Sequence, residues 1–132
     1  MWAAAALTVG VLASCTTAPT PEPVAPTQSA DNACFQVSDV GTLVFNMKQA
    51  WDAGRIPGEE YQGAMYLAGS MLGRIGESDD DEVNGDVLAL RDAAGTYAVD
   101  PDSAEWKAAF AAVSESCTAV LGEFGVSGWV GG

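Results

Sequence analysis

The sequence predicts an all-α protein, a small up-down-up-down four-helix bundle closed by one disulfide. Three observations support this prediction. Four segments carry apolar residues at alternating spacings of three and four, the connections between them are very short, and a pair of cysteines lies near the two ends of the helical part. Short connections force consecutive helices to be antiparallel neighbours, because a few residues cannot cross the length of a bundle.

The first two helices are predicted from apolar stripes and from the residues that bound them. Gly54 is expected to end helix one, and Pro57 to begin helix two with Glu59 and Glu60 in its positive first turn. Helix two is expected to end at Gly76. The stripe of helix one consists of Val37, Val40, Val44, Met47 and Trp51. The stripe of helix two consists of Tyr61, Met65, Ala68, Leu72 and Ile75.

The third and fourth helices are predicted in the same way. Ser78, followed three residues later by Asp81, is expected to cap helix three. Helix four is expected to begin around residues 100–102 and to end at Gly125. The stripe of helix three consists of Val83, Val87, Leu90, Ala94 and Tyr97. The stripe of helix four consists of Trp106, Phe110, Val113, Cys117, Val120 and Phe124.

The N-terminal residues resemble the signal peptide of a bacterial lipoprotein. The apolar stretch 2–13 is shorter than the roughly 20 residues that span a bilayer, and it ends in Leu12-Ala13-Ser14-Cys15, which resembles a lipobox. The resemblance implies that Cys15 receives a diacylglyceryl group, that residues 1–14 are removed, and that lipid holds the protein on the extracytoplasmic face of the cell membrane. Because a signal peptide usually carries a basic n-region and no Lys or Arg precedes Lys48, we expect the true start to lie upstream.

The cysteine count then predicts a disulfide. Of three cysteines, Cys15 is assigned to lipid, which leaves Cys34 and Cys117. An exported protein sits in an oxidising compartment, so this even remainder is expected to pair. In an up-down-up-down bundle the start of helix one and the end of helix four lie at the same end, so the topology independently predicts the same Cys34–Cys117 bond.

Composition divides the chain into four parts. Residues 1–14 are the signal peptide, and residues 15–32 form a Pro- and Thr-rich tether that cannot build a core and favours extended polyproline geometry. Residues 33–125 form the acidic helical domain. Residues 126–132 form a Gly-rich tail, from which Trp129 could pack back on the bundle.

The charge balance limits the classes of partner. The chain carries 18 acidic and 5 basic residues, a net charge of −13. A polyanion of this size is repelled by nucleic acid, so no nucleic-acid partner is expected. The excess of acids is compatible with a cationic partner, and it also fits simple solubility outside the cell.

The acidic run 79–82 invites comparison with a helix–loop–helix calcium site. In that alignment Asp80, Glu82 and Asn84 take the first three ligand positions, but the closing bidentate Glu falls at Arg91. The run is therefore interpreted as an acidic helix N-terminus, which the helix dipole favours. Metal and haem sites in bundles usually depend on inward His residues, and the chain has no His, so no metal or cofactor is expected.

Four aromatic residues form a candidate binding surface at the end of the bundle away from the disulfide. These residues are Trp51, Tyr61, Tyr97 and Trp106, and ordinary core packing is the alternative interpretation. The short connections are expected to bring Trp51 close to Tyr61, and Tyr97 to face Trp106. With no His as a base and no spare thiol, an enzyme is not expected. We expect a non-catalytic binding or interaction module at the cell surface, with a cationic or apolar protein or small molecule as partner. A carboxylate-based cell-envelope hydrolase and a phage- or element-encoded exclusion lipoprotein remain alternatives.

Overall fold

The computed structural model describes residues 18–21 and 27–127, and four helices occupy most of the second range. Their bounds are Ala30–Asp52 for α1, Gly58–Gly73 for α2, Asp81–Ala94 for α3 and Ala104–Leu121 for α4. The predicted all-α four-helix bundle is confirmed. The lipobox with Cys15, and Trp129 of the tail, lie outside the described residues.

Two contacts at opposite ends establish that α1 and α4 are antiparallel. Near the start of α1 and the end of α4, Cys34 and Cys117 form the predicted disulfide, with their Cα atoms 5.5 Å apart and both residues fully buried. At the other end, Lys48 Nζ of α1 lies 3.3 Å from Asp102 Oδ2, just before α4. Within the bundle α1 packs most extensively on α2, and α3 on α4.

The predicted apolar stripes supply the core. All four helices contribute buried aliphatic side chains, and the buried disulfide closes one end of the same cluster. The largest fully buried side chains are Leu72, Ile75, Leu90, Val37, Val40, Val83, Val113, Cys34 and Cys117. Two members of the stripes are not core residues, since Trp51 is 42% exposed and Tyr97 is 72% exposed. Both follow the last buried residue of their stripe, so they project beyond the core.

Several helix ends differ from their predicted positions because of the residues that cap them. Helix α1 begins at Ala30, because the Ser29 hydroxyl accepts a hydrogen bond from the backbone N–H of Asn32 (3.3 Å). Residues 29–32 of the predicted tether therefore belong to the folded domain. Helix α4 begins after Ser103, whose hydroxyl caps its first turn, and it ends before Gly122 in the left-handed region, three residues earlier than predicted.

Helix α3 is capped by Asp80. The prediction that Ser78 caps this helix is wrong. Asp80 Oδ1 accepts hydrogen bonds from the backbone N–H groups of Glu82 (3.0 Å) and Val83 (2.9 Å). The Ser78 hydroxyl instead accepts a hydrogen bond from the N–H of Asp80 (3.2 Å) and so supports the turn before the helix. The physical reason is position: α3 starts at Asp81, so the residue just before it is the one that can reach the free N–H groups.

Gln28 fastens the chain before α1 to the connection between α2 and α3. Its backbone N–H donates to Glu77 O (2.9 Å), and its carbonyl accepts from the N–H of Asp79 (2.9 Å). Its side-chain amide donates to Gly76 O (2.9 Å), and Asp79 Oδ1 accepts from the N–H of Ala30 (2.8 Å). We call these contacts the Gln28 clamp. They place the α2–α3 connection at the disulfide end of the bundle.

After α4 the chain turns back along α1 as a C-terminal strap, residues 123–127. The Ser38 hydroxyl donates to Gly125 O (2.6 Å), and the backbone N–H of Ser127 donates to Thr42 Oγ1 (3.0 Å). The first two residues of the predicted tail are thus held on the fold. The strap runs towards the C-terminal half of α1.

Gly41 lies directly beneath this strap. A Cβ atom at this position would come within 2.6 Å of both Phe110 and Val126 side-chain carbons. Only glycine leaves room for the α4 ring and the strap to meet on α1.

Candidate functional site

The end of the bundle away from the disulfide is built from the α1–α2 and α3–α4 connections. Trp51 ends α1 and Tyr61 lies in the first turn of α2, and their rings stack at 5.5 Å with an interplanar angle of 15°. The expected proximity of these two residues is confirmed. Trp51 is partly exposed and Tyr61 is half-buried, so the stack presents one aromatic edge to solvent and supports the α1–α2 turn with the other.

The other two predicted surface residues do not form a matching pair. Trp106 is only 5% exposed and stacks on Phe110 at 5.7 Å, so it belongs to the core. Tyr97 lies beyond the end of α3 and is largely exposed. The two rings make no contact with each other, contrary to expectation. The structure brings Trp51 and Tyr61 together, leaves Tyr97 on the surface, and buries Trp106.

A groove of about 440 Å³ lies between α2 and the α3–α4 connection, and we call it the α2 groove. It is lined by Tyr61, Gln62, Met65, Tyr66, Ala98, Val99, Asp100 and Pro101. One wall is therefore helical and the other is extended chain. Both aromatic and apolar side chains face the groove, and Asp100 is its one charged member.

The extended wall of the α2 groove is fixed to α2. The backbone N–H of Val99 donates to Met65 O (3.2 Å), and the Val99 side chain is buried. One turn further along α2, Gly69 lies beside the same connection, and a Cβ there would make only an ordinary contact, 3.6 Å from the Tyr97 carbonyl oxygen. These contacts hold the groove in a preformed shape.

The charged side chains beside the groove differ in whether they have a partner of opposite charge. Lys48 Nζ lies 2.6 Å from Asp52 and 3.3 Å from Asp102, so two carboxylates share one ammonium group. Lys107 approaches Asp102 more loosely, at 4.0 Å. Asp100 accepts a hydrogen bond from the backbone N–H of Asp102 (3.1 Å) but forms no ion pair with any described residue. The carboxylate that lines the α2 groove thus lacks a cationic partner within the described part of the chain.

The pKa values of Tyr61 and Lys48 reflect the electrostatics at the end of the bundle away from the disulfide. Burial raises the pKa of Tyr61 above its ordinary value of 10.0, and the carboxylates of Asp102, Asp100 and Asp52 add to the rise while Lys48 opposes it. The hydrogen bond to Asp52 raises the pKa of Lys48, and the partial burial of the ammonium group works against this rise. Burial is thus the main cause of the rise at Tyr61, and the surrounding charges act on its pKa in both directions.

A second depression, of about 200 Å³, lies between α1 and α4 under the strap. It is lined by Gly41, Val44, Phe45, Lys48, Pro101, Trp106, Phe110 and Val126. Its lining is almost wholly apolar, and its one charged group, Lys48, is already paired with two carboxylates. Among its lining side chains no charge is left unpaired.

Two side chains of the acidic run 79–82 bind backbone N–H groups. Asp79 and Asp80 each use a carboxylate oxygen to accept backbone N–H groups, and the Arg91 Nε–H donates to the Leu72 carbonyl at the end of α2 (2.8 Å). Within residues 18–21 and 27–127, no group of three or more potential metal-ligating side chains comes together. Of the residues in the calcium alignment, Asp80 caps α3, Asn84 accepts a hydrogen bond from the Ser78 N–H, and Arg91 joins α3 to the end of α2.

Comparison of the chain with protein-family models, with curated proteins and with solved structures gives no match. Among the helices that the structure describes, none combines the length and the apolar character that crossing a membrane requires.

Sequence reasoning missed part of this site. Tyr66 and Asp100 are not among the residues that the sequence predicts for the binding surface, and Asp100 is predicted only as part of the start of helix four. The structure places both in the α2 groove. The signal that was available is the apolar Val99, which lies in a connection and outside any stripe, since an apolar residue in such a place often packs against a neighbouring element.

Proposed function

We propose that this protein is a lipid-anchored, extracytoplasmic lipoprotein whose acidic helical domain is a non-catalytic binding module. The observation that carries the proposal is the lipobox resemblance of residues 12–15, followed at once by the Pro- and Thr-rich tether. The buried disulfide supports it, because such bonds persist in oxidising compartments.

The geometry of the domain suits this role. The tether enters at the N-terminus of α1, which is the disulfide end, while the α2 groove lies at the other end. An anchor at residue 15 would therefore leave the groove on the side of the domain away from its attachment. A preformed groove at that position is accessible to a partner from outside the membrane.

The carboxylates offer little support for a hydrolase. Glycoside hydrolysis needs two carboxyl groups flanking a cleft, one of them kept protonated by its surroundings. The two carboxylates that converge here, on Asp52 and Asp102, share Lys48, and their side chains are 55% and 65% exposed. An exposed pair bridged by an ammonium group is a structural contact at the protein surface.

Anchoring is tested with Cys15→Ser in a bacterial host. We expect the wild-type protein in the membrane fraction with an acylated N-terminal Cys15, because several acyl chains anchor a protein firmly. The variant should appear in the soluble fraction or as uncleaved precursor. Detection of unmodified Cys15 in mature wild-type protein by mass spectrometry would contradict the anchoring proposal.

Binding is tested by photo-crosslinking in the native cells. A photoreactive residue at Tyr97, beside the α2 groove, should give a discrete protein adduct. The same residue at Leu88, an exposed position on α3, is the matched control and should not. Equal labelling at both positions, or release of envelope fragments by the purified protein, would reject a binding module with its surface at this end.

A further inference from the structure

The α2 groove combines three features that a cationic side chain requires. Its aromatic members are Tyr61, whose ring also stacks on Trp51, and Tyr66, which is 54% exposed. Its aliphatic members, including Met65 and Pro101, offer apolar contact. Its charged member, Asp100, carries no salt bridge within the described chain. Aromatic faces attract cations, and a carboxylate strengthens that attraction.

We propose that the α2 groove binds an arginine side chain presented by a protein partner. This inference rests on the proposed function, since it specifies what the binding module recognises. A guanidinium group stacks on tyrosine rings and forms two parallel hydrogen bonds with a carboxylate, whereas an ammonium group acts as a point charge. The aliphatic stem of arginine lies along apolar side chains.

The volume and openness of the groove point to a peptide segment as the occupant. About 440 Å³ is more than one guanidinium group fills, and Ala98 and Pro101 add to its apolar lining. The residues flanking the arginine therefore have surface to contact. Charge complementarity acts at longer range as well, because a chain with a net charge of −13 attracts a basic segment before contact.

The groove is preorganised for this ligand. The hydrogen bond from Val99 to Met65 fixes one wall, and the hydrogen bond from the Asp102 N–H to Asp100 Oδ1 holds the carboxylate. The second carboxylate oxygen of Asp100 accepts no hydrogen bond from any described residue. Binding would require little reordering of the protein, so the ordering cost falls on the peptide alone.

The test uses the full chain with its disulfide intact, in detergent micelles, and a capped pentapeptide Gly-Pro-Arg-Pro-Gly. The matched probe replaces arginine by citrulline, which keeps the shape and removes the charge. Amide and methyl chemical shifts are followed by NMR. We expect saturable shifts centred on Met65, Tyr66 and Val99 with the arginine peptide, and affinity lower by about tenfold or more with the citrulline peptide.

Two variants locate the interaction, each with a control. Asp100→Asn removes the charge but keeps an oxygen for the Asp102 N–H, and Asp92→Asn removes an exposed charge on α3. Tyr66→Leu removes a ring from the groove, and Leu67→Ala truncates its exposed neighbour. We expect the first member of each pair to weaken arginine-peptide binding about tenfold and the second to leave it unchanged.

Several outcomes would overturn the inference. Equal binding of the arginine and citrulline peptides would do so, as would shifts spread over the acidic surface and insensitive to Asp100→Asn. Tighter binding of free spermidine than of the peptide would reassign the groove to a small cation. If the protein forms its crosslinked adduct at position 97 but does not bind the peptide, this inference is rejected and the proposed function is kept. If it gives neither the adduct nor peptide binding, both are rejected.

Discussion

Gly41 lies within α1, where a glycine ordinarily costs about 1 kcal/mol relative to alanine. That cost is offset by packing, because the Phe110 ring and the Val126 side chain occupy the space that a Cβ would need. Gly85, in the middle of α3, has no atom within 4 Å of the corresponding position. The two residues are the same amino acid in the same kind of element, and their surroundings give them opposite roles.

Gly41→Ala should lower the free energy of unfolding by about 1–3 kcal/mol, because a methyl group must displace Phe110 and the strap. Gly85→Ala, the matched control, should raise it by about 0.5–1 kcal/mol through helix propensity alone. Urea unfolding followed by circular dichroism measures both. A Gly41→Ala protein as stable as the control would mean that the strap does not pack on α1.

Tyr61 should make stability pH-dependent in the alkaline range. Burial, aided by the nearby carboxylates, raises its pKa in the folded state above 10.0, so the stabilisation is complete below pH 10 and is lost as the pH rises through the folded-state pKa. The raised pKa of Lys48 acts in the same direction above 10.5. Tyr61→Phe should therefore reduce the loss in the free energy of unfolding that begins near pH 10. The loss that Lys48 contributes above pH 10.5 should remain.

The measurement for Tyr61 is the free energy of unfolding at intervals from pH 8 to pH 12. Tyr97→Phe is the control, since that side chain is mostly exposed and its replacement should keep the wild-type profile. If Tyr61→Phe also follows the wild-type curve, Tyr61 is not the group that titrates.

At the scale of the helix, side-chain caps mark where α1, α3 and α4 begin. Asp80→Ala should cost about 0.5–2 kcal/mol, because two backbone N–H groups of α3 lose their acceptor, whereas Asp80→Asn should cost little. Asp81→Ala, which removes a charge from the same turn without removing a cap, should cost only a few tenths to about 1 kcal/mol. Thermal unfolding of the three variants measures these differences.

The same region gives a ligand test. Because Asp79 and Asp80 are engaged with backbone N–H groups and Arg91 with Leu72 O, calcium near millimolar concentration should leave the melting temperature unchanged. A saturable calorimetric signal tighter than about 0.1 mM would show that the acidic run is a calcium site after all.

The number and order of the helices follow from the spacing of apolar residues, but their ends depend on neighbouring elements. Ser78 and Asp80 are both good caps by type, and the Gln28 clamp fixes the turn so that Asp80 reaches α3. In the same way, the short link predicted the Trp51–Tyr61 contact, whereas the α2 groove depends on where a non-periodic connection carrying Val99 packs. Local pattern determines the elements, and tertiary contacts determine their ends and the site.

At the scale of the whole molecule, one covalent bond joins the first helix to the last. Reducing the Cys34–Cys117 disulfide, which spans 83 positions in sequence, should lower the free energy of unfolding by about 2–4 kcal/mol, because the unfolded chain regains the freedom of a long loop. Helix content should be preserved. Urea unfolding with and without reductant measures the change, and an unchanged midpoint would contradict a stabilising role for the bond.

The position of the Gln28 clamp also determines how the protein would respond to tension. A pull applied to the chain before Gln28 is met first by the two main-chain hydrogen bonds to Glu77 and Asp79. If these rupture, the force reaches the first turn of α1, where each residue released lengthens the chain. Unwinding stops at Cys34, four residues after the helix begins, since the disulfide transfers the load to α4. The hydrogen bonds of the Gln28 clamp and the first turn of α1 thus give way first under a sudden pull, and the disulfide keeps the rest of α1 from unwinding.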